Sequence, residues 1–428
     1  MRAVIMAGGK GTRIASLARD IPKPMLPLCG KPVLERQIEV LRREGFLDIV
    51  LVVGHLGAVI QNHFGNGCAF GVRITYIEEK EPLGTAGALA LLGDVLKGDD
   101  FLLLNGDVLF DVDLKRFLAF HREKRGIATV FTHPSTHPAD SVIVESDKND
   151  RVTAFLAPDT ARRASRNRTN AGLHFFSPAV LSRFKTVKKT DLDREVLVPL
   201  AAERALFAYN SPEYVKDMGT PQRLKEAERD LAAGVVTRGD PKSPRGAIFL
   251  DRDGTINRHV GFVTSPDQIE LLPGAAEAIK QLNDRHIPVI VVTNQPVLAR
   301  GEVDEAGITA IHARLEALLA EQGAYLTDIF YCPHHPDSGF AGEVPALKRI
   351  CNCRKPAPGL LLAAAKRYDL DLSRSFMIGD SESDMTAARR AGCRAAAIGG
   401  MQADITGSSL PDCVSKILDV EEYRHDLS

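Results

Sequence analysis

Two aspartates, Asp251 and Asp253, directly follow the apolar run Ile248–Leu250 and come just before a Gly-Thr turn. Side chains alternate along an extended strand, so residues spaced by two can project in the same direction. The carboxyl ends of strands are where open α/β sheets bind their ligands. A pair of carboxylates at such a strand end is suited to a divalent cation. The sequence therefore predicts a metal site after this strand.

Three further groups of polar residues stand in the second half of the chain. They are Thr293 with Asn294, Arg354 with Lys355, and Asp380 with Asp384. The first group offers a hydroxyl and an amide, the second offers positive charge, and the third adds carboxylates. We expect these groups to gather near the first aspartate pair. For Asp384 two interpretations stay open, since it either supports the water shell of the metal or is simply solvated.

Three cysteines and a histidine form two closely spaced pairs near the cationic group. They are Cys332 with His334, and Cys351 with Cys353. Three sulfurs and one imidazole complete a tetrahedral Zn²⁺ site with no open position, and such closed sites are structural. The alternative is four unconnected reduced residues, and His335 could compete with His334 for the metal. Because Cys353 directly precedes Arg354 and Lys355, we favour a zinc loop that fixes the cationic residues in place.

A glycine-rich loop follows the first apolar strand of the chain. Its members are Gly8, Gly9, Gly11, Thr12 and Arg13, and Lys23 follows within the next short segment. Glycines let backbone N–H groups approach a phosphate closely, and the two basic residues supply compensating charge. The pattern is neither that of a dinucleotide-binding fold nor that of a P-loop. It predicts a phosphate-binding loop, although such a loop can also merely turn a corner.

Alternating strand and helix patterns must position these residues. In the first half, apolar strand patterns alternate with helical ones over 3–7, 33–44, 49–53, 57–64, 72–77, 85–92 and 101–104. In the second half, helical patterns cover 275–285, 304–322, 359–368 and 382–391, strand patterns cover 288–292, 328–331 and 375–378, and 412–418 is amphipathic. This alternation predicts an α/β fold with mostly parallel sheets. We expect the amphipathic tail segment to pack on the second domain.

The length and composition limit the possible classes of protein. A chain of 428 residues exceeds one hydrophobic core, so we predict domains at 1–232 and 246–428 with a linker at 233–245. The 54 basic residues nearly balance the 55 acidic ones, so we expect small-molecule substrates rather than nucleic acid or a membrane surface. No apolar run approaches the ~20 residues of a membrane span. Seven cysteines without a secretory context predict reduced thiols and a cytoplasmic location.

Further short motifs stand in order in the first half. They are Pro82-Leu83-Gly84-Thr85, Asn105-Gly106-Asp107, Asn170-Ala171-Gly172 and Lys216-Asp217-Met218-Gly219. Together with the glycine loop, they make residues 1–232 resemble the sugar-1-phosphate nucleotidyltransferases. The spacing is most similar to that of the heptose-1-phosphate and mannose-1-phosphate guanylyltransferases. The resemblance implies a Rossmann-like sheet in this domain.

The same resemblance implies a reaction and residue roles. A sugar-1-phosphate oxygen attacks the α-phosphorus of a nucleoside triphosphate, and since this nucleophile is already anionic, catalysis needs positioning and charge neutralisation. By resemblance, Asp107 and Asp217 hold Mg²⁺, Arg13 and Lys23 grip phosphates, Gly84 lies near the base, and Asn170 and Gly172 face the sugar. The alternative for the two aspartates is that they only cap loops.

One segment departs from this family. Where a Phe-x-Glu-Lys-Pro segment is common, this chain has Phe155-Leu156-Ala157-Pro158-Asp159, so the lysine expected at the sugar phosphate is missing. Four arginines follow, namely Arg162, Arg163, Arg166 and Arg168. They either replace this lysine or form a solvated surface.

The second half, over residues 246–400, resembles the haloacid dehalogenase superfamily of phosphatases, because four motifs of that superfamily stand there in order. The resemblance implies that Asp251 is a nucleophile that forms an aspartyl phosphate, and that Asp253 is the general acid and base. Mg²⁺ would be held by Asp251, Asp380 and the backbone carbonyl of Asp253. The implied fold is a Rossmann-like sheet with the zinc loop attached.

The remaining motif residues receive roles from the same resemblance. Thr293 would bind phosphate oxygens, and Lys355 would neutralise the charge that grows in the transition state. Asn294 and Arg354 are assigned to substrate binding, and Arg354 is the candidate for recognising a second phosphate that is retained.

The zinc loop and residues 251–257 resemble the D-glycero-D-manno-heptose 1,7-bisphosphate 7-phosphatases, with histidinol-phosphate phosphatases as close relatives. Segments 258–263 and 296–298 depart from that family near the expected substrate mouth. A sugar bisphosphate that loses its distal phosphate becomes a sugar 1-phosphate, which the first domain would consume. We therefore predict a bifunctional enzyme that uses GTP and leads to GDP-D-glycero-α-D-manno-heptose, a precursor of bacterial surface polysaccharides such as lipopolysaccharide. The alternatives are a histidinol-phosphate-type phosphatase, or an active phosphatase whose first domain only binds nucleotide sugars.

Overall fold

The computed structural model describes residues 1–9, 21–96, 98–135, 141–157, 165–236, 245–339 and 341–420. The chain divides into two compact units. The first comprises Met1–His133, Val144–Phe155 and Asn170–Gly239, and the second comprises Pro134–Ile143, Leu156–Thr169 and Asp240–Ser428. Two short segments from the first half of the sequence thus belong to the second unit, whereas the boundaries proposed from composition treat each domain as one continuous stretch. No helix in the described ranges is both long and apolar enough to cross a membrane.

The first half of the chain alternates strands with helices. Its strands are β1 (Arg2–Met6), β2 (Pro27–Leu28), β3 (Lys31–Pro32), β4 (Asp48–Val53), β5 (Arg73–Glu78), β6 (Phe101–Asn105), β7 (Val108–Asp111), β8 (Ala128–His133), β9 (Ile143–Ser146), β10 (Val152–Leu156), β11 (Thr169–Phe176), β12 (Leu206–Asn210) and β13 (Tyr214–Asp217). Its helices are α1 (Val33–Arg43), α2 (Gly57–Phe64), α3 (Leu114–Lys124), α4 (Val198–Ala202) and α5 (Pro221–Ala232). The main sheet has the order β10-β9-β11-β6-β1-β4-β5, and β8 joins β11 to β12.

The centre of this sheet is parallel and buried. β1 pairs in parallel with β4 and β6, so that Ile5 lies opposite Leu51 on one side and Leu104 on the other. All three side chains are excluded from solvent, as expected for strands covered by helices on both faces. β11 runs antiparallel to β6, and β7 pairs with β13 in a separate antiparallel ribbon. The sheet is therefore parallel at its centre and mixed towards β11.

The second unit is built on a parallel sheet. Its strands are β14 (Ile248–Leu250), β15 (Val289–Asn294), β16 (Asp328–Cys332), β17 (Phe376–Gly379), β18 (Arg394–Ile398) and β19 (Ile405–Gly407), in the order β16-β15-β14-β17-β18-β19. Its helices are α6 (Ala275–Asn283), α7 (Glu305–Ala320), α8 (Gly359–Tyr368), α9 (Glu382–Ala391) and α10 (Leu410–Leu418). The predicted two-domain α/β fold is confirmed.

The short strand β14 lies at the centre of the second sheet. Leu250 pairs with Val291 of β15 and with Ile378 of β17, and all three are fully buried. Because these neighbouring strands are parallel, the residues that follow them meet at one edge of the sheet. On one face, α10 packs Leu410 and Ile417 into the same core, as its amphipathic pattern predicts.

Most predicted elements lie within two residues of the observed bounds, but the helix predicted over 85–92 does not form. The chain there makes a single 3₁₀ segment, Gly87–Leu91. A Cβ atom at Gly87 would collide with the backbone carbonyl of Lys188. This close approach of two backbone segments, which the helical periodicity does not reveal, sets the local conformation.

Arg166 and Arg168 lie in a segment that belongs to the second unit. Arg166 forms ion pairs with Glu316 at 2.7 Å and Asp328 at 3.0 Å, and Arg168 pairs with Asp328 at 2.6 Å. The two carboxylates are almost completely buried. Both alternatives raised for these two arginines are therefore wrong, because they are neither a solvated surface nor free to replace the missing lysine. Arg162 and Arg163 lie outside the described residues.

Candidate active sites

The residue after β14, Asp251, lies at the centre of a charged cluster in the second unit. The Lys355 ammonium is 2.7 Å from Asp251 and 2.6 Å from Asp384. Lys355 and Asp384 are both buried, so the interpretation of Asp384 as a solvated residue is wrong. Burial raises the pKa of Asp251 to about 6, against the opposing charge of Lys355. The arrangement places a carboxylate and a cation together at the carboxyl edge of the sheet.

A third carboxylate, that of Asp380, completes an acidic group with Asp251 and Asp384, whose oxygens lie within 4.8 Å of one another. The Asp380 carboxylate lies close to the backbone of Gly254, which has φ +86°. Only glycine fits there, because a Cβ atom would collide with that carboxylate. Three carboxylates share one lysine in this cluster. The excess of negative charge and the all-oxygen donor set fit a divalent cation such as Mg²⁺.

Asp253 projects into a different set of contacts. Its carboxylate accepts hydrogen bonds from Arg252, from Asn257 at 2.9 Å and from Gln295 at 3.0 Å. Burial alone would raise the pKa of Asp253, but the charge of Arg252 and these hydrogen bonds outweigh it and lower that pKa. The two aspartates that the strand pattern placed side by side are therefore held by different cations.

Residues at the end of β15 complete the arrangement. The Thr293 hydroxyl, 1 % exposed, accepts a hydrogen bond from Gln295 at 2.9 Å. The side chain of Asn294 binds the backbone of Lys355, because its oxygen accepts from the Lys355 N–H and its amide donates to the Lys355 carbonyl, each at 3.0 Å. The role that the structure gives Asn294 is thus to fix the residue carrying the cation.

The predicted zinc ligands come together. They are Cys332, His334, Cys351 and Cys353, with sulfur–sulfur separations of 3.2 Å, 3.3 Å and 3.6 Å and a distance of 3.2 Å from the Cys353 sulfur to the His334 Nδ1. Tetrahedral Zn–S bonds of about 2.3 Å place sulfurs about 3.8 Å apart, so the observed separations are shorter than a zinc site would set. This cluster could hold a metal ion. His335 is not part of it and lies near Asp337 instead.

Two arginines surround the histidine of this cluster. Arg349 contacts His334 Nε2 at 2.9 Å, and Arg354 donates to the His334 backbone carbonyl at 3.3 Å. Arg354 is partly exposed, so its side chain is held by the loop without being shielded from solvent. The cysteine cluster and the two cations that follow Cys353 therefore form one continuous piece of structure.

In the first unit, the glycine loop after β1 lies against Glu79, the residue after β5. A Cβ atom at Gly8 would collide with the Glu79 carboxylate, and one at Gly54 would lie 3.0 Å from the Gly8 carbonyl. Burial raises the pKa of Glu79, although a hydrogen bond from the Leu83 backbone opposes the shift. The other oxygen of Glu79 is buried without a hydrogen-bond partner among the described residues. Position 8 therefore requires glycine, because the Glu79 carboxylate lies too close to the backbone there for any side chain.

Of the two aspartates assigned to magnesium, Asp107 directly precedes β7 and Asp217 is the last residue of β13, the strand that pairs with β7. Asp217, in β13, pairs with Val108, the residue after Asp107. Asp107 forms an ion pair with Lys23, and Asp217 forms one with Arg223 at 2.8 Å. Both carboxylates are partly exposed, and each is paired with its own basic residue, so their assignment to Mg²⁺ stays a prediction.

The other predicted residues of the first unit occupy tight backbone positions. Gly84, at φ +79°, packs against the Thr190 carbonyl, and Gly172, at φ +77°, packs against the Asn105 side chain. Asn170 accepts from the Gly172 N–H and donates to Asp193 at 3.1 Å. Gly11, Thr12 and Arg13 lie outside the described residues, so their roles stay predictions.

Three residues of these sites were missed in the sequence. Arg252 and Gln295 contact Asp253, and Glu79 contacts the glycine loop. Glu79 could have been found by the same rule that located Asp251, since it follows directly after a parallel strand. Arg252 gives no such signal, because a single arginine between two acids is typical of an exposed turn.

Comparison with known proteins gives matches to both halves. The family model for nucleotidyl transferase matches residues 2–234, and that for haloacid dehalogenase-like hydrolase matches residues 196–392. The chain is 34 % identical over 266 residues to the mannose-1-phosphate guanylyltransferase of Mycobacterium tuberculosis, covering 62 % of this chain and 71 % of that protein. It is 35 % identical over 257 residues to a probable mannose-1-phosphate guanylyltransferase 1 of Oryza sativa subsp. japonica, covering 56 % and 70 %.

Among solved structures, the chain is similar to the D,D-heptose 1.7-bisphosphate phosphatase of B. bronchiseptica complexed with magnesium and phosphate. The identity is 36 %, the coverage is 40 % of this chain and 98 % of that chain, and the TM-score is 0.36. The family matches confirm both resemblances that the motifs indicated. The chain belongs to the nucleotidyl transferase family and also carries a haloacid dehalogenase-like hydrolase domain, so it is an enzyme with nucleotidyltransferase and phosphatase activities.

Proposed function

We propose that this enzyme removes the 7-phosphate of D-glycero-D-manno-heptose 1,7-bisphosphate and then transfers GMP from GTP to the resulting heptose 1-phosphate. The observation that carries the proposal is the Asp251–Lys355–Asp384 cluster in a chain whose first half matches guanylyltransferases. A phosphatase and a sugar-1-phosphate nucleotidyltransferase in one chain catalyse consecutive steps if the first leaves the anomeric phosphate intact. The product would be a precursor of bacterial surface polysaccharides, made in the cytoplasm.

In the hydrolysis, Asp251 attacks the distal phosphorus, and a bond to its carboxylate oxygen forms as the bond from phosphorus to the sugar oxygen breaks. Asp253 gives a proton to the departing alkoxide. Asp253 then takes a proton from the water that attacks the phosphoaspartate, which releases inorganic phosphate and restores Asp251. Lys355 and Thr293 offset the charge on the phosphoryl oxygens during both steps.

Bound Mg²⁺, held by Asp251, Asp380 and the backbone carbonyl of Asp253, would reduce the repulsion between phosphate and nucleophile. The charge count of the carboxylate cluster supports this assignment. We assign Zn²⁺ to the cysteine cluster, where a closed donor set gives it a structural role in fixing Arg354 and Lys355.

In the transfer, the anomeric phosphate attacks the α-phosphorus of the nucleotide, and pyrophosphate leaves. Lys23 and the glycine loop neutralise and position phosphate oxygens, with Arg13 in the same role by resemblance. Asp107 and Asp217 are the proposed ligands of a second Mg²⁺. Because the nucleophile is anionic, the protein supplies orientation and charge rather than a general base.

Guanine is the proposed base because of Glu79. One oxygen of this carboxylate is buried without a partner among the described residues, and the residue accepts a backbone hydrogen bond from Leu83, beside Gly84. Guanine presents two adjacent donors, N1–H and the 2-amino group, which can fill both oxygens of a carboxylate. The pyrimidines uracil and thymine present one N–H between two carbonyl oxygens, which a carboxylate repels.

Incubation of the full chain with the heptose bisphosphate, GTP and Mg²⁺ tests the proposal. We expect inorganic phosphate, pyrophosphate and GDP-heptose, and less product when ATP or UTP replaces GTP. Asp251→Asn should lower the rate of phosphate release by on the order of a thousandfold or more, and it should still form GDP-heptose from heptose 1-phosphate. Asp107→Ala should lose GDP-heptose formation and keep phosphate release. Release of the anomeric phosphate, or faster hydrolysis of histidinol phosphate, would contradict the proposed substrate. If no pyrophosphate is released, the first domain only binds nucleotide sugars and does not transfer GMP.

A further inference from the structure

Arg252, between the two catalytic aspartates, is among the largest fully buried side chains of the protein. A guanidinium that is removed from water requires compensating hydrogen bonds and charge. Three of the four hydrogen bonds that this side chain makes within the described part of the chain go to Asp253 and one goes to Gln295, whereas Nη1 is buried without a partner among the described residues. Arg252 Nε lies 3.1 Å from Asp253 Oδ1, and Arg252 Nη2 lies 3.0 Å from Oδ1 and 2.7 Å from Oδ2.

Gln295 joins this pair to the phosphate-binding hydroxyl. Its carbonyl oxygen accepts from Arg252 Nη2 at 3.0 Å, and its amide donates to Asp253 Oδ2 at 3.0 Å and to Thr293 Oγ1 at 2.9 Å. Gln295 is 2 % exposed, so solvent does not compete for these contacts. With the amide of Asn257 at 2.9 Å from Oδ1, both oxygens of Asp253 are held by more than one donor.

We propose that Arg252 and Gln295 are positioning residues that fix the Asp253 carboxylate relative to Thr293, and so to the phosphoryl group, during proton transfer. The proposal rests on the proposed role of Asp253 as general acid and base. A planar guanidinium holds a carboxylate in one plane through its fork of donors. Lysine, a point charge on a flexible stem, does not fix that orientation.

This role separates two chemical steps. Asp251 can form its bond to phosphorus without Asp253 when the leaving group is an aryl oxide that departs without a proton. Hydrolysis of the phosphoaspartate still requires Asp253 to accept a proton from water. Loss of the contacts that Arg252 and Gln295 make with Asp253 should therefore leave phosphoenzyme formation from an aryl ester unchanged and slow phosphoenzyme hydrolysis. Phosphoenzyme should then accumulate.

The test compares Arg252→Gln with the wild type, using p-nitrophenyl phosphate and heptose 1,7-bisphosphate with Mg²⁺ in the full chain. With the aryl ester we expect a burst of nitrophenolate near one equivalent per enzyme, at a rate within about threefold of the wild type, followed by turnover slowed about 100-fold. Phosphoenzyme should be recovered after acid quenching. With the sugar ester, both steps need Asp253, so turnover should fall by at least as much without a burst.

Arg166→Gln is the matched control, because it also removes an arginine that is paired with buried carboxylates in the same unit. It should lower thermal stability without producing a burst. Arg252→Lys should recover part of the lost turnover, and Gln295→Met should give a smaller effect of the same kind, so the proposal does not depend on the folding of one variant.

Asp253→Asn separates the acid–base role of Asp253 from the positioning role of Arg252 and Gln295. If Asp253→Asn gives no phosphoenzyme burst, the acid–base role in the proposed function is wrong. If it gives the burst while Arg252→Gln, Arg252→Lys and Gln295→Met do not, the positioning role is overturned. Equal slowing of both steps in the Arg252 and Gln295 variants would also overturn it, since that result indicates general damage to the site.

Discussion

Asn294 shows how a single amide can control a charge it does not touch. Its side chain binds both the N–H and the carbonyl of Lys355, while the Lys355 ammonium lies between Asp251 and Asp384. A backbone held at two points leaves the lysine side chain little freedom to leave the site. The phosphatase cation is therefore positioned by the end of β15 as well as by the cysteine loop.

We predict that Asn294→Ala lowers kcat of the phosphatase about tenfold and changes KM little. Two hydrogen bonds of about 1 kcal/mol each hold the Lys355 backbone, and their loss affects the transition state, where the cation is needed most. Steady-state kinetics of phosphate release measure the effect, and Gln281→Ala, an exposed amide in the same unit, is the control. A raised KM with unchanged kcat would indicate that Asn294 binds substrate instead.

A second residue, His174 in β11, should make the first unit sensitive to acid. It is 1 % exposed, both of its ring nitrogens lack partners among the described residues, and burial lowers its pKa to about 3. Between its unfolded pKa of about 6.5 and this value, only the unfolded state binds the proton, so stability falls as the pH falls. The penalty is absent above pH 6.5 and grows by about 1.4 kcal/mol per pH unit below it.

His174→Phe should remove this penalty. Urea unfolding of the first unit at pH 7.5 and at pH 5.5 should show that the variant loses about 1.4 kcal/mol less on acidification than the wild type does. Comparing the change within each protein cancels any constant packing effect of the phenyl ring. Equal pH dependence of the two proteins would contradict a buried neutral histidine.

At the scale of elements, strand ends were the predictable part of both sites. Asp251, Thr293 and Asp380 follow short apolar runs, and parallel pairing of β14, β15 and β17 brings those ends to one edge. Periodicity and apolar content are local properties, so these placements could be derived from the sequence. The contact of Gln295 with Asp253 and that of Glu79 with Gly8 could not, because these partners lie in segments distant in sequence and packing brings them together.

The cysteine loop between β16 and α8 is the element whose stability should control the phosphatase alone. Cys353→Ser should remove about one Zn²⁺ per chain and lower phosphate release, since Lys355 stands two residues further on. Nucleotidyl transfer should be unaffected. Structural zinc can contribute on the order of 10 kcal/mol to the folding of a small loop, so a large loss is expected.

Elemental analysis together with both activity assays measures this effect. Cys68→Ser is a matched control, because Cys68 is exposed in the first unit and lies outside the cluster. Purified wild-type protein without zinc, or a Cys353 variant with normal phosphatase activity, would contradict the assignment.

At the scale of the whole molecule, the order of residues along the chain does not give the composition of the second unit. Glu316 in α7 is 3 % exposed, and it accepts from the Arg166 side chain at 2.7 Å and from the Asn167 backbone at 3.1 Å. Both partners stand 150 residues or so earlier in the sequence. A boundary drawn from linker composition at 233–245 therefore separates Glu316 from these two partners.

A fragment of residues 245–428 should fold less stably than the second unit does in the full chain. Without Arg166 and Asn167, Glu316 loses the partners described above, so a carboxylate that is buried in the full chain is left without its counter-charge. Glu316→Gln tests this cause directly, because its effect should have opposite signs in the two settings. In the full chain it removes the charge that pairs with Arg166, so the melting temperature of the second unit should fall. In the fragment it replaces an unpaired charge with a neutral amide, so the melting temperature should rise by roughly 2–4 °C for each kcal/mol recovered.

Calorimetry of the four proteins, with phosphate release as a check on folding, gives both differences. If Glu316→Gln destabilises the fragment as much as the full chain, the first-half segment makes no electrostatic contribution to this unit.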